Sequence, residues 1–255
     1  MKTQEKNFDG IKLSGFTAIL IMLALTGTAI YLLSLPQTPS IIAGVICGIC
    51  VVVMLPGFMI IQPNNSRVLT FFGRYAGTVI SNGFYWVNPL FLKSTVTLRI
   101  LNLNIDPIKV NDKVGNPIMI GAVVVWRIKD TYKASFDISG NIREFVQIQS
   151  DAALRQVAGM YAYDTNETID KVTLRSDESG EITQRLEDEL NSRLAIAGIE
   201  IVEARINYLA YASEIASVML RRQQADAIIS ARERIVEGAV SMVHLALEKL
   251  EKDGV

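Results

Sequence analysis

The chain has 255 residues, of which 25 are lysine or arginine and 26 are aspartate or glutamate, for a net charge of −1 at pH 7. That balance excludes a nucleic-acid binder built on a clustered basic face. Two cysteines and one histidine provide no second ligand pair of the kind a four-ligand cysteine and histidine zinc site uses.

No charged residue occurs between Lys12 and Arg67. This stretch holds two apolar runs, residues 14–35 and 41–61, separated by a turn with Pro36 and Pro39. At about 1.5 Å per residue, each run can cross a hydrocarbon layer about 30 Å thick as a helix. The short turn predicts an antiparallel hairpin. The first run is too long for a signal-peptide core and is followed almost at once by the second. So long an uncharged stretch also argues against two buried helices of a soluble protein. Lys2, Lys6 and Lys12 precede the first run, Arg67 and Arg74 follow the second, and the turn has no basic residue. Both termini are therefore predicted on the cytoplasmic side, with only the turn outside. Cys47 and Cys50 lie inside the second run without a further ligand pair, and read as small residues packed in a membrane helix. Gly44 and Gly48 predict close helix–helix packing, with Ala24 and Thr28 as the small face of the first helix. Pro56-Gly57 predicts a kink near the cytoplasmic end of the second helix.

From Ser66 to Lys129 the pattern is that of strands. Arg67-Val-Leu-Thr-Phe-Phe72 runs into Gly73, a turn is predicted at Ser81-Asn82-Gly83, and Phe84-Tyr-Trp-Val87 stops at Asn88-Pro89. Val96, Leu98 and Ile100 alternate with polar residues, after which the phase shifts to Leu101, Leu103 and Ile105. That shift predicts a bulge near Leu101. Residues 111–117 read as a hairpin turn before an apolar strand at 118–128, whose Trp126 is assigned to the core.

After Asp130 the period becomes helical. Ile142, Phe145, Ile148, Ala152 and Val157 mark one amphipathic helix ending near Gly159. Ser176-Asp-Glu-Ser is a predicted helix start. Ile182, Leu186, Leu190 and Leu194 follow at i+4 spacing, and Gly198 supplies the stop. Residues 199–206 read as a returning strand. The soluble part is thus α+β, a strongly bent antiparallel sheet with helices packed on it. Residues 212–250 form one long helix by pattern. A seven-residue repeat places Ile215, Arg222, Ile229, Val236, Val243 and Leu250 at one seam position, and Val218, Ala225, Arg232, Ala239 and Ala246 at the other. Ile228, Ile235, Val240 and Leu247 widen the face beyond a two-stranded zipper. The apolar face is longer than one domain of this size buries, so it is assigned to contacts between copies. The oligomerisation residues are Ile215, Val218, Ala225, Ile229, Val236, Ala239 and Val243; the packing residues of the anchor are Gly44 and Gly48.

Nucleophile elbows, phosphate loops, zinc-protease helices and dinucleotide fingerprints are all absent from the sequence, and Asp-Lys-Val-Gly-Asn lacks the acidic spacing of a calcium loop. His244, the one histidine, falls in the long helix. No catalytic residue, metal ligand or cofactor is assigned.

Val68-Leu-Thr-Phe-Phe-Gly-Arg-Tyr-Ala-Gly-Thr78 and Gly83-Phe-Tyr-Trp-Val-Asn-Pro89 resemble the opening of the SPFH (band 7) domain of stomatins, prohibitins and flotillins. Val123-Val-Val-Trp-Arg-Ile-Lys-Asp130 is similar to the strand closing its first sub-domain. Gly198-Ile-Glu-Ile-Val-Glu-Ala-Arg-Ile206, Arg222-Gln-Gln-Ala-Asp-Ala227 and Ala231-Arg232 resemble its second sub-domain and the start of its helical tail. The resemblance covers residues 62–238 and is that of a bacterial-type member with a two-span anchor and a short tail. Taken with the hydropathy, charge and periodicity readings, it divides the chain into a cytoplasmic tail at 1–13, a transmembrane hairpin at 14–61, an SPFH domain at 62–207 and an oligomerisation helix at 208–255. It further implies a non-enzymatic homo-oligomeric scaffold of the cell (inner) membrane, with both termini and the SPFH domain cytoplasmic. Such a scaffold organises membrane microdomains, and its partners are membrane lipid, further copies and a membrane protease or other membrane protein. The other readings are a monomeric or small-oligomer adaptor or sensor binding lipid or a partner, and a membrane hydrolase subunit.

Overall fold

The computed structural model describes residues 5–35, 37–164, 172–176 and 180–252. The helix start placed at Asp177, Glu178 and Ser179 lies outside them.

A short strand β1 (Leu13–Ser14) leads into α1 (Gly15–Ser34), and α2 (Thr38–Met54) follows with Pro39 in its first turn. Pro suits that position because the first N–H groups of a helix have no internal partner. The hydroxyls of Thr17, Thr26, Thr28 and Ser34 each donate to a carbonyl one turn back, at 2.7–2.9 Å. Their polar groups are thereby satisfied within the helix, as hydrocarbon requires. The second run does not continue to Ile61 as a kinked helix. A 3-10 turn, Leu55–Gly57, ends it, and Phe58–Ile61 form strand β2. Pro56 cannot supply the N–H that a further helical turn needs, and the sheet region therefore begins at Phe58.

Next come β3 (Asn65–Phe71), β4 (Arg74–Val79), β5 (Gly83–Trp86), β6 (Phe91–Thr97), β7 (Leu101–Asn111) and β8 (Pro117–Ile128). Helices α3 (Thr131–Phe136), α4 (Ile142–Ala158) and α5 (Glu181–Leu194) follow, then β9 (Ile199–Tyr211) and the long α6 (Ser213–Lys252). In place of one bent sheet there are, among the described residues, three of three strands each, in the orders β1-β5-β2, β4-β3-β6 and β7-β8-β9. The phase shift at Leu101 is therefore not a bulge; it marks the passage from β6 in one sheet to β7 in another.

The chain divides into two compact units, one of Met1–Leu103, Val124–Ser150 and Glu187–Ala204, the other of Asn104–Val123, Asp151–Leu186 and Arg205–Val255. Met59, Ile61, Leu69, Val79 and Val87 form a core cluster in the first, packed by Phe8, Tyr85 and Phe91. Trp126 is 2 % exposed, a core residue as the sequence assigns it. Ile182, Leu186, Leu190 and Leu194 are all buried, and Gly198 closes the helix end at φ +68°. In α4 the buried stripe is Val146, Ser150, Ala153, Leu154, Val157 and Ala158, whereas Ile148 is exposed and does not belong to it.

Ahead of α1, Lys6–Phe8 and Leu13–Ser14 are paired to the sheets. Asn7 bridges Thr78, and Leu13 and Ser14 pair with Trp86 and Tyr85. Lys12 lies over the Tyr85 ring, 4.8 Å from its centroid.

Candidate membrane anchor and assembly helix

Both α1 and the segment Thr38–Gly57 are long and apolar enough to cross a membrane, and little of either is buried. They pack on each other at Gly44. A Cβ there would stand 2.8 Å from Leu33 Cγ and 3.2 Å from the Ala29 carbonyl oxygen. Ala29 is buried and Ala24 and Thr28 are exposed, so the small face of α1 lies at Ala29 and not at Ala24 and Thr28. A Cβ on Gly48 would meet nothing within 4 Å, and the close approach is thus made by Gly44 alone. Cys47 is half-buried and Cys50 exposed, both as free thiols.

The end of the anchor is held by side chains from the sheets. Trp86 Nε1 donates to the Met54 carbonyl at 2.9 Å, and Lys93 Nζ donates to the Pro56 carbonyl and, at 3.4 Å, to that of Phe58. These donors satisfy carbonyls that a helix end leaves open. Burial holds the Lys93 ammonium below the usual lysine range, and the nearby Arg67 adds to the shift. Gly57 admits this contact: a Cβ there would collide with Trp86 Nε1 and stand 2.6 Å from the Val87 carbonyl oxygen. Phe84 stacks on Phe58 with centroids 5.6 Å apart and meets Phe16 edge-on.

Apolar side chains are exposed around the β3–β4 turn and the start of β6. Phe71 pairs with Phe91, and Leu90 follows Trp86 by one turn of chain. Phe72, at 78 %, Leu90 and Leu92 are strongly exposed, and Phe71 partly so. The turn carrying Phe72 is set by left-handed backbone at Phe72 (φ 44°) and Gly73 (φ 79°).

Helix α6, part of the second unit, begins just after Ala212, whose N–H donates to the Pro117 carbonyl at 2.9 Å. Lys109 and Glu214 form an ion pair at its start, and Lys109 holds the Glu214 carboxyl below the usual range. Every residue from Ala227 to Lys249 is exposed. Val218, Ala225, Ile229, Val236, Ala239 and Val243 are among the exposed residues and Ile215 is half-buried. At about 100° per residue these seven fall within about 120° of the helix circumference. Between Ile235 and Leu247 the apolar side chains spread over about 220°, leaving a narrow strip with Glu237, Ser241 and His244. Among the described residues no group of three or more His, Cys, Asp or Glu side chains comes together to hold a metal.

The SPFH domain / Band 7 family model matches residues 59–239. No curated protein matches the chain. Members of this family are generally membrane-associated scaffolds that oligomerise, and generally not enzymes. Matched over well more than half its length, and carrying two apolar helices ahead of the matched region, the chain belongs to the SPFH domain / Band 7 family.

Proposed function

We propose that the chain is a homo-oligomeric scaffold of the cell (inner) membrane, which organises lipid and membrane proteins, membrane proteases included, around many copies of itself. The observation that carries this reading is α6, a 40-residue helix whose apolar face is exposed over most of its length. An apolar arc of about 220° is wider than the seam of a two-stranded coiled coil and suits a helix flanked by neighbours on both sides. Ile215, Val218, Ala225, Ile229, Val236, Ala239 and Val243 are the contact residues of this assembly. Residues 208–255 serve as the assembly segment, 62–207 as the bulk of the SPFH domain, and the hairpin as the anchor.

In this reading the hairpin returns the chain to the side it started from, and both ends lie on the cytoplasmic face. Supporting a common side, Lys6–Phe8 and Leu13–Ser14 before α1 are hydrogen-bonded to strands that follow α2, which two ends on opposite sides of a bilayer cannot be. The exposed Phe72, Leu90 and Leu92 meet the headgroup layer beside the anchor, where apolar and aromatic side chains are stable. The measurement is the mass of the particle in mild detergent: a multiple of many chains supports the scaffold, and a monomer rejects it in favour of an adaptor.

A further inference from the structure

The sheet order β4-β3-β6 leaves β4 at an edge, and residues 5–8 lie along it. The Phe8 N–H donates to the Thr78 carbonyl at 3.0 Å, and the Thr78 N–H donates to the Lys6 carbonyl at 2.9 Å, with Asn7 and Thr78 in parallel register. The edge is shaped for a close backbone. Gly77 sits at φ +144°, and a Cβ there would stand 2.7 Å from the Phe8 Cα.

Side chains read both ends of this segment. At one end, Tyr75 Oη lies 2.7 Å from Thr78 Oγ1, which lies 3.0 Å from Thr131 Oγ1. Thr131 donates to Glu5 Oε1 at 2.6 Å. Thr78 and Thr131 are each 1 % exposed. The row has an acceptor at each end, the Glu5 carboxyl and the Lys6 carbonyl, to which Tyr75 Oη donates at 3.2 Å, and a carboxylate oxygen is the stronger acceptor of the two. At the other end, Phe8 meets Phe91 edge-on, centroids 5.4 Å apart, and packs on the Met59–Val87 core cluster. Lys6 and Asn7 between them are exposed and unread by side-chain pockets.

This is the arrangement of strand addition, in which backbone bonds give affinity and side-chain pockets give specificity. We propose that the β4 edge is a peptide-binding site for an extended protein segment of the form acidic–x–x–aromatic, and that the chain's own Glu5–Phe8 segment holds it closed. The ligand class follows from what the site reads: a carboxylate, a strand-like backbone and an aromatic ring. Closure in cis is strong, because only residues 9–12 separate the arm from β1. So short a tether gives the arm an effective concentration on the order of millimolar. A partner segment enters when it binds more tightly than that or when the arm is drawn away.

The test uses the full-length chain in mild detergent, a variant lacking residues 2–9, and a fluorescein-labelled peptide of residues 3–12. The truncated chain is expected to bind the peptide saturably, and the full-length chain about a hundredfold more weakly because its arm competes. Peptides with Glu5→Ala or Phe8→Ala, and a truncated chain with Thr131→Val, should each bind about tenfold more weakly. Three results overturn the proposal: no saturable binding by a truncated chain that keeps its thermal transition, equal binding by truncated and full-length chains, or alanine peptides that bind like the parent. Where truncation prevents folding, the full-length chain with Glu5→Ala and Phe8→Ala takes its place. It must bind the parent peptide more tightly than the unsubstituted chain, and equal binding overturns the proposal. Particle mass on the same samples is a separate readout, so failure here leaves the scaffold reading standing.

Discussion

Gly44 and Gly48 give a test of the anchor in which one substitution is the control for the other. The pair has the spacing of a small-residue packing motif, but only Gly44 touches the first helix. Its added Cβ would stand 2.8 Å from Leu33 Cγ, against about 3.5–4.0 Å for ordinary carbon contacts. The helices must therefore part by about 1 Å at this point before the rest of a leucine side chain is placed. Overpacking of this kind costs about 1–3 kcal/mol, which shifts the closed–open equilibrium of the hairpin by roughly five- to 150-fold. Gly44→Leu should lower the thermal transition in detergent and speed proteolysis within residues 35–40. A Cβ on Gly48 meets nothing within 4 Å, and Gly48→Leu should leave both unchanged. A silent Gly44→Leu, or equal effects at the two sites, would refute this view of the hairpin.

Other consequences are independent of that pair. Gly57→Val should detach the end of the anchor from Trp86 and lower stability by about 1–3 kcal/mol, while Trp86→Phe, which loses the bond to Met54 and the part of the indole that lies against Gly57, should cost about 1–2 kcal/mol; chemical denaturation in detergent checks both. Glu200 accepts from Lys129 and Arg127, each at 2.7 Å, and these hold its carboxyl below the ordinary glutamate range. A lowered folded value means stabilisation that is present above the ordinary glutamate value and lost as pH falls through the folded one. Glu200→Gln should therefore cost up to about 1 kcal/mol at pH 7 in low salt, and progressively less as pH falls below the ordinary glutamate value. With Cys47 and Cys50 replaced, a cysteine at Gln37 should label from outside intact cells and one at Val114, 65 % exposed, only after permeabilisation. Labelling of Val114 from outside would reject the hairpin topology.

The parts of the fold legible in the sequence are those where one periodicity is unopposed. Leucines at i+4 spacing gave α5 its buried face, and Ser81-Asn82-Gly83 marked the turn before β5. In α4 two stripes compete, and the buried one contains Ser150, so counting apolar residues favoured the exposed Ile148. The phase flip at Leu101 carried real information, but a flip within a strand and a change of sheet leave the same trace in one dimension. Hydropathy ran the second span through to Ile61 because Phe58–Ile61 is as apolar as a membrane helix, and it is pairing with β5 that makes it a strand. The arm at Glu5–Phe8 was invisible: its residues have no strand pattern, and their partners Thr78 and Thr131 are far along the chain. Along α6 the apolar repeat was plain, whereas Arg222 and Arg232 in the seam obscured how far round the helix the face extends.

The most direct measurement is the mass of the detergent-extracted particle for the parent chain and for Ile229→Asp with Val236→Asp. Both positions are exposed in the single chain, so its fold has no use for them, and the variant should insert in membranes and keep its thermal transition. In a packed assembly each aspartate becomes an unpaired buried charge costing a few kcal/mol or more, repeated in every copy. The parent should be a large particle and the variant should fall to small species. A variant as large as the parent would show that α6 does not build the assembly, and a monomeric parent would contradict the scaffold itself.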